Sequence, residues 1–296
     1  MSSAAPAVLA LGETMGLLLP DGATGIADAA RLRLDIAGAE ANLASHLARS
    51  GVAAAWGGAV GDDPLGRRIL STLEDRGVDT RWVRVDPDAP TGLFLKDPSP
   101  AGSRVYYYRR GSAASRLDAG FAATLPVESV PWVHLTGITP ALSTECSQLV
   151  DAIFDRRDEA RLPVSFDVNY RRALWPDAAT AATRLLALAR RAALVFVGRD
   201  EAESLWATRT PQEVAELIGT GGTVVVKDDA EAAHAFTPVG VFSVAPEPVA
   251  VVEPVGAGDA FAAGYLTMLL AGGGAEAALL SAHRHAARAL STTGDY

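Results

Sequence analysis

The chain has one cysteine, Cys146, which excludes an internal disulfide and any CxxC metal site. We read Cys146 as a small helix residue. Lysine is nearly absent, since only Lys96 and Lys227 occur and the rest of the positive charge is arginine. Positive charge is itself in deficit, with 26 Lys and Arg against 35 Asp and Glu and a net charge of −9. That balance argues against non-specific binding to nucleic acid or to an anionic membrane surface. No basic residue precedes Arg31, whereas a secretory signal opens on positive charge. No apolar run is long enough for a membrane span. The most apolar stretch, Ala260 to Leu280, is broken by Gly272-Gly273-Gly274 and Glu276, and reads as two helices around a turn. The expected compartment is the cytoplasm.

Several catalytic signatures are also missing. There is no GxxxxGK[ST], no strand running into GxGxxG, no HExxH and no GxSxG. His134 ends a strand-like run and reads as a hydrogen-bonded structural histidine. His283 and His285 fall on a polar helix face and read as solvated.

What is present is a globular composition, 49% hydrophobic and 21% charged. Short apolar runs alternate with longer helical patterns, which predicts βαβ units and a mostly parallel sheet. Strands are expected at Val8–Leu11, Ala53–Val60, Trp132–Leu135, Val164–Asp167, Leu194–Val197 and Thr223–Val226. Later strands are expected at Ala232–Phe236, Val241–Val244 and Val249–Val252. Helices are expected at Ala39–Arg49, Pro64–Arg76, Ser143–Glu159, Ala178–Arg190 and Pro211–Ile218, with two more starting near Gly256 and Ala275. Between them Arg81–Val85, Gly92–Lys96 and Arg104–Arg109 form three strand-like runs without helices, punctuated by Pro87, Pro90, Pro98, Pro100 and Gly102. With Leu17–Leu19 and Arg31–Ile36 they predict a small antiparallel lid sheet. The lid insertions are placed at approximately 14–36 and 81–112 of a single domain spanning 1–296.

The strongest local feature is Val255-Gly256-Ala257-Gly258-Asp259-Ala260-Phe261, after a strand-like run and at the head of an apolar helix. Small residues leave the amides of Gly256, Ala257 and Gly258 uncovered at a helix N-terminus, which makes an anion site. A carboxylate there repels a phosphate, so Asp259 needs a reason. Either it deprotonates a hydroxyl while the amides stabilise a transferring phosphoryl group, or it caps the helix and the glycines permit tight packing.

Gly256-Ala257-Gly258-Asp259-Ala260-Phe261 resembles the C-terminal signature of the ribokinase-like (PfkB) carbohydrate kinases. Ala37-Gly38-Ala39-Glu40-Ala41-Asn42 resembles the N-terminal sugar-binding loop of that family, and Gly61-Asp62-Asp63-Pro64-Leu65-Gly66 the turn before its second helix. The matches follow family order across essentially the whole chain. Within the family the likeness is greatest to 2-keto-3-deoxygluconate kinases. It is carried by Leu11-Gly12-Glu13, by the lid segment Arg104 to Ser115, and by Asp167-Val168-Asn169-Tyr170-Arg171 with Leu174-Trp175.

The resemblance implies a three-layer α/β fold with a mostly parallel central sheet and a small β-sheet lid. It implies an ATP-dependent kinase, with Mg²⁺ on the ATP phosphates and a monovalent cation left open. Gly38 and Asn42 are then expected on sugar hydroxyls, and Tyr107 and Arg109 on an acidic end. Asn169 and Arg171 border the phosphate path, and Gly256, Ala257 and Gly258 form the anion hole. Asp259 is the general base on a 6-hydroxyl, and Glu201 organises Mg²⁺ through water. Phe94 stands in the pocket where such kinases often carry Tyr. Lys227 and Asp229 fall on the nucleotide strand and loop, where Asp229 and Ala232 replace a Gly-xx-Gly pair. Gly198 replaces a usual Asn, Ala37 a usual Gly, and Glu253-Pro254 a usual Asp-Thr or Asp-Pro.

Physics supports an acidic sugar independently. In a strand, Tyr107 and Arg109 share a face, and a phenol beside a guanidinium suits a carboxylate. Alternatives stay open at these positions: Tyr106–Arg110 as an exposed lid strand, Arg171 in a surface ion pair, Glu201 as a helix-start carboxylate. The rival functions are a kinase of a neutral sugar such as fructose or of a nucleoside, and a silent sugar-binding protein on a kinase fold. A small sheet with one apolar face needs cover, which predicts a homodimer through the lid.

Overall fold

Leu9 and Leu11 of strand β1 (Val8–Leu11) face one helical layer, while Val8 and Ala10 face the other. A strand covered on both faces is apolar throughout, which is what made it legible. The computed structural model describes residues 5–22, 25–99, 104–229, 231–251 and 256–291. After β1 come β2 (Met15–Pro20), β3 (Leu32–Ala37), α1 (Ala39–Arg49), β4 (Ala54–Gly61), α2 (Pro64–Asp75), β5 (Val83–Asp86), β6 (Leu93–Asp97) and β7 (Arg104–Tyr108). Then follow α3 (Ala119–Thr124), β8 (Trp132–Thr136), α4 (Thr144–Ala160), β9 (Val164–Asp167), α5 (Ala178–Arg191), β10 (Leu194–Gly198), α6 (Arg199–Trp206) and α7 (Pro211–Ile218). The chain ends with β11 (Thr223–Asp228), β12 (Ala232–Thr237), β13 (Gly240–Val244), α8 (Ala257–Leu270) and α9 (Ala275–Leu290).

The large sheet has the order β13-β12-β11-β10-β9-β8-β1-β4-β5. It is parallel from β11 to β5, with β12 and β13 antiparallel at one edge. One core lies under α4, α5, α6 and α7, around Phe154, Phe166, Leu185 and Val214. The other lies under α1, α2, α8 and α9, around Leu43, Leu73, Phe196 and Tyr265. The fold is therefore the expected three-layer α/β arrangement. Side-chain caps set several helix starts: Asp63 accepts from Gly66, Ser143 from Cys146, and Asp177 from Thr180.

The lid is a separate four-stranded sheet with the order β3-β2-β6-β7. Two expectations change here. Arg81–Val85, expected in the lid, becomes β5, which pairs with β4 at the edge of the large sheet. The lid is also not wholly antiparallel, because β2 and β6 run parallel. Elsewhere, Val249–Val251 holds no strand, and Val252 lies outside the described residues. So do Glu253-Pro254, Val255, Pro100 and Gly102. Helix α3 was not anticipated, and α6 only through the helix start weighed for Glu201.

Cys146 is buried in α4, as read from the sequence. His134 is buried within β8, with Nδ1 2.9 Å from Ser165 Oγ. Burial pulls its pKa down to about 4, so it stays neutral. The solvated reading of His283 and His285 fails. His283 Nε2 lies 2.9 Å from the Val244 carbonyl of β13, and its ring stands edge-on to Phe261. His285 bridges the Ser281 carbonyl and Ser50 Oγ. Among the described residues, no helix is long and apolar enough to cross a membrane.

Candidate active site

The C-terminal ends of β1, β9, β10 and β11 open toward the same side as the N-termini of α1 and α8. In open α/β sheets that edge is where ligands bind. Here the lid overhangs it, leaving a cleft of about 470 Å³. Its walls include Glu13 after β1, Gly38 and Asn42 at α1, Asp167, Asn169 and Arg171 at β9, Glu201 at α6, Lys227 on β11, and Gly256, Gly258 and Asp259 at α8. Phe94, Lys96, Val105, Tyr107 and Arg109 line it from the lid.

Gly256 precedes α8 with φ of 82°. Only glycine takes that left-handed conformation without strain. It turns the chain into α8 at the cavity wall, which Gly256 and Gly258 line. Gly258 lies against the Lys227 ammonium: a Cβ on Gly258 would stand 3.7 Å from Nζ. Helix-terminal amides and a cation thus meet at one corner, which suits a phosphate group.

Asp259 sits in the first turn of α8 beside that corner. Its Oδ2 accepts a hydrogen bond from Asn42 Nδ2 at 2.9 Å. Burial pushes its pKa up to about 7, assisted by the charges of Asp167 and Glu40 and opposed by Asn42 and Arg171. A carboxyl poised near neutrality is matched to proton abstraction at physiological pH.

Lys227 Nζ lies 3.3 Å from Asp167 Oδ2. Burial acts to lower the Lys227 pKa, but Asp167, Glu201 and Asp259 outweigh it and hold the pKa above the usual lysine value. Lys227 is therefore a fixed cation. Glu201 is held by backbone donors, since Tyr170 N–H donates to Oε1 and Gly198 N–H donates to Oε2 at 3.1 Å. Burial and the nearby Asp167 raise its pKa. At the other end, Arg109 forms an ion pair with the fully buried Glu13 carboxylate, whose Oε1 also accepts from Ser112 Oγ at 2.7 Å. The Arg109 guanidinium lies 5.5 Å from the Tyr107 ring centre, and that ring is 5.6 Å from Phe94. Arg171 is exposed to the cavity and makes no ion pair among the described residues.

A family model described as pfkB family carbohydrate kinase matches residues 6–296. The chain belongs to this family.

Its curated relatives bear the names 2-dehydro-3-deoxygluconokinase, 2-dehydro-3-deoxygalactonokinase and fructokinase. The 2-dehydro-3-deoxygluconokinase of Thermoproteus tenax is 37% identical over 243 residues, covering 80% of this chain and 74% of the relative. The 2-dehydro-3-deoxygluconokinase of Bacillus subtilis is 36% identical over 266 residues, covering 88% and 82%. Among solved structures, the PfkB protein from Polaromonas sp. JS666 superposes with a TM-score of 0.90 at 33% identity, covering 98% of this chain and 97% of that one.

In this pfkB-family kinase the cavity gathers nearly all the residues singled out by sequence. Gly38, Asn42, Phe94, Tyr107, Arg109, Asn169, Arg171, Glu201, Lys227, Gly256, Gly258 and Asp259 all line it. Ala257 and Asp229 do not. Ala257 is the first residue of α8, and Asp229 is exposed in the turn after β11, with φ of 43°. Sequence reasoning passed over Glu13, Asp167 and Lys96 as site residues. Each carried a positional signal. Glu13 and Asp167 sit at or just past strand ends on the ligand side. Lys96 lies two residues beyond Phe94 on one strand, hence on the same face.

Proposed function

We propose that this kinase phosphorylates the 6-hydroxyl of 2-keto-3-deoxygluconate at the expense of ATP. The observation that carries the reading is the meeting of three features in one cavity. They are a carboxyl poised near neutrality at Asp259, open helix-terminal amides backed by Lys227, and a cationic wall of Arg171, Lys96 and Arg109. Asp259 removes the hydroxyl proton as the oxygen attacks the γ-phosphorus and ADP departs. The amides of Gly256 and Gly258 and the Lys227 ammonium stabilise the charge on the moving phosphoryl group. Asn42 and Gly38 hold the sugar, and Tyr107 and Phe94 cover it.

Among the described residues no cluster of three metal-ligating side chains exists. That fits a Mg²⁺ carried on the ATP phosphates and waters rather than in a protein cage. Glu201, with both oxygens fixed by backbone amides, would hold its waters. Bound there, Mg²⁺ supplies charge neutralisation between the phosphates.

One observation favours a second reading, a neutral sugar: Glu13 already neutralises Arg109. The acidic sugar then depends on Arg171, which has no such partner among the described residues, and on Lys96. A coupled ADP-release screen over acidic and neutral sugars decides. The expected result is turnover of the keto-deoxy acid with loss of most of it in Arg171→Ala. Faster turnover of fructose, unaffected by that change, sinks the acidic-sugar reading.

The kinase is also proposed to be a homodimer through the lid. β7 is an edge strand, and its Val105, Tyr106 and Tyr108 are 39%, 45% and 62% exposed. Such an edge offers unpaired backbone groups beside apolar surface to a second copy.

A further inference from the structure

The chain passes between the large sheet and the lid four times: from β1 to β2, from β3 to α1, into β6 and out of β7. Glu13 lies at all four passages. It belongs to the first. Its carbonyl oxygen is so close to Gly38, just before α1, that a Cβ there would collide with it. Its Oε1 would stand 2.8 Å from a Cβ on Gly92, the residue before β6. Its carboxylate holds the segment after β7 at two points, with the Arg109 guanidinium on Oε2 and Ser112 Oγ on Oε1.

Glu13 and Arg109 both line the cavity. Taking a carboxylate and a guanidinium out of water costs free energy that two apolar side chains of the same volume would not. Gly92 also forgoes a side chain to admit the carboxylate. Packing alone requires neither. Arg109 moreover keeps a donor unused: its Nε–H is buried without a hydrogen-bond partner among the described residues. The guanidinium is fixed between the Glu13 carboxylate and the Tyr107 ring, whose centre is 5.5 Å away.

We propose that Glu13 is a positioning residue for sugar binding: it holds the Arg109 guanidinium at the lid side of the cavity before the sugar arrives. The proposal rests on the kinase reading given above. A free arginine side chain loses rotational freedom when it engages a ligand. Here Glu13 has already removed that freedom, so the sugar meets donors that are in place. The effect belongs to binding rather than to chemistry. Neither Glu13 nor Arg109 makes a hydrogen bond or ion pair with Asp259 or Lys227 among the described residues.

Glu13→Gln tests this directly, with 2-keto-3-deoxygluconate as the sugar. Its amide oxygen still accepts from Ser112, but its amide hydrogens face the guanidinium donor against donor. The sugar KM should rise about tenfold, the weight of one hydrogen bond to a charged group. The kcat should stay within about threefold and the KM for ATP within about twofold. Arg109→Met should raise the sugar KM at least as far. Combined in one chain, the two substitutions should do no more than Arg109→Met alone, because Glu13 then has nothing left to position. Calorimetric binding of the sugar without ATP should rank the variants in the same order, independently of turnover.

A sum of the two effects, an unmoved sugar KM in Glu13→Gln, or a fall in kcat as large as the rise in KM overturns the proposal. So does a lower sugar KM, which would show that Glu13 only masks the Arg109 charge. Ser112→Ala loosens the carboxylate without removing it and should raise the sugar KM by less. It decides the matter if the glutamine variant does not fold, and an unmoved KM there overturns the proposal. Arg109→Met separates the claims: an unmoved sugar KM defeats the sugar contact of Arg109 itself, whereas a raised one beside an unmoved Glu13→Gln defeats only the role of Glu13.

Discussion

Asn42 and Asp259, 217 residues apart in sequence, meet through one hydrogen bond of 2.9 Å, from the amide of Asn42 to the carboxylate of Asp259. This contact joins the N-terminus of α1 to that of α8, and so joins the proposed sugar loop to the proposed phosphate corner. It stabilises the ionised base against burial and the surrounding negative charge.

Asn42→Ala removes a donor that favours the anion, so the pKa of Asp259 rises further above about 7. The acid limb of the pH–rate profile should then move up by about half to one unit. Activity should fall more at pH 6 than at pH 8. A limb that moves down, or a uniform loss across pH, contradicts the assignment of that limb to Asp259.

The pair Glu13–Arg109 is almost fully buried, with 0% and 11% side-chain exposure. Removing one partner strands the other charge. Glu13→Ala should lower the free energy of unfolding by about 3–5 kcal/mol. Replacing both by methionine should recover most of that loss, because neither charge remains to be desolvated. Denaturant unfolding of the three variants checks this. Equal losses in the single and double variants would show that packing, not charge, dominates.

The proposed lid dimer makes a prediction about edge chemistry. Charge on an exposed strand edge blocks pairing with another copy. The wild-type chain should sediment as a dimer at micromolar concentration, and Tyr106→Glu with Tyr108→Glu as a monomer. A monomeric wild type removes the proposal.

Much of this architecture could be read from the chain because β1 and β10 are apolar almost throughout, and β11 carries the run Val224-Val225-Val226 in its buried middle. β5 was misplaced for the opposite reason. Val83-Arg84-Val85-Asp86 is a short, half-exposed edge strand, and its pattern matches a lid strand equally well. The pairing that assigns it, Gly58 with Val83, is long-range and leaves no local mark. His283 and His285 misled similarly, since helical periodicity does not reveal that β13 and Ser50 pack beside that face of α9. At the site, the glycine-rich corner and the aromatic lid segment announced themselves through unusual composition. Glu40 did not. A glutamate in a first helical turn reads as ordinary dipole compensation, and only Thr136 at the end of β8, Thr139 just beyond it and the bare Gly12 distinguish it.

The parallel ladder from Gly16–Leu93 to Leu18–Leu95 carries one more consequence. It sews together two stretches of chain that α1, β4, α2 and β5 separate in sequence. A cover built from a single hairpin can lift about its root like a flap. This one cannot lift either half without tearing that seam, so any movement of the cover carries all four strands together as one plate.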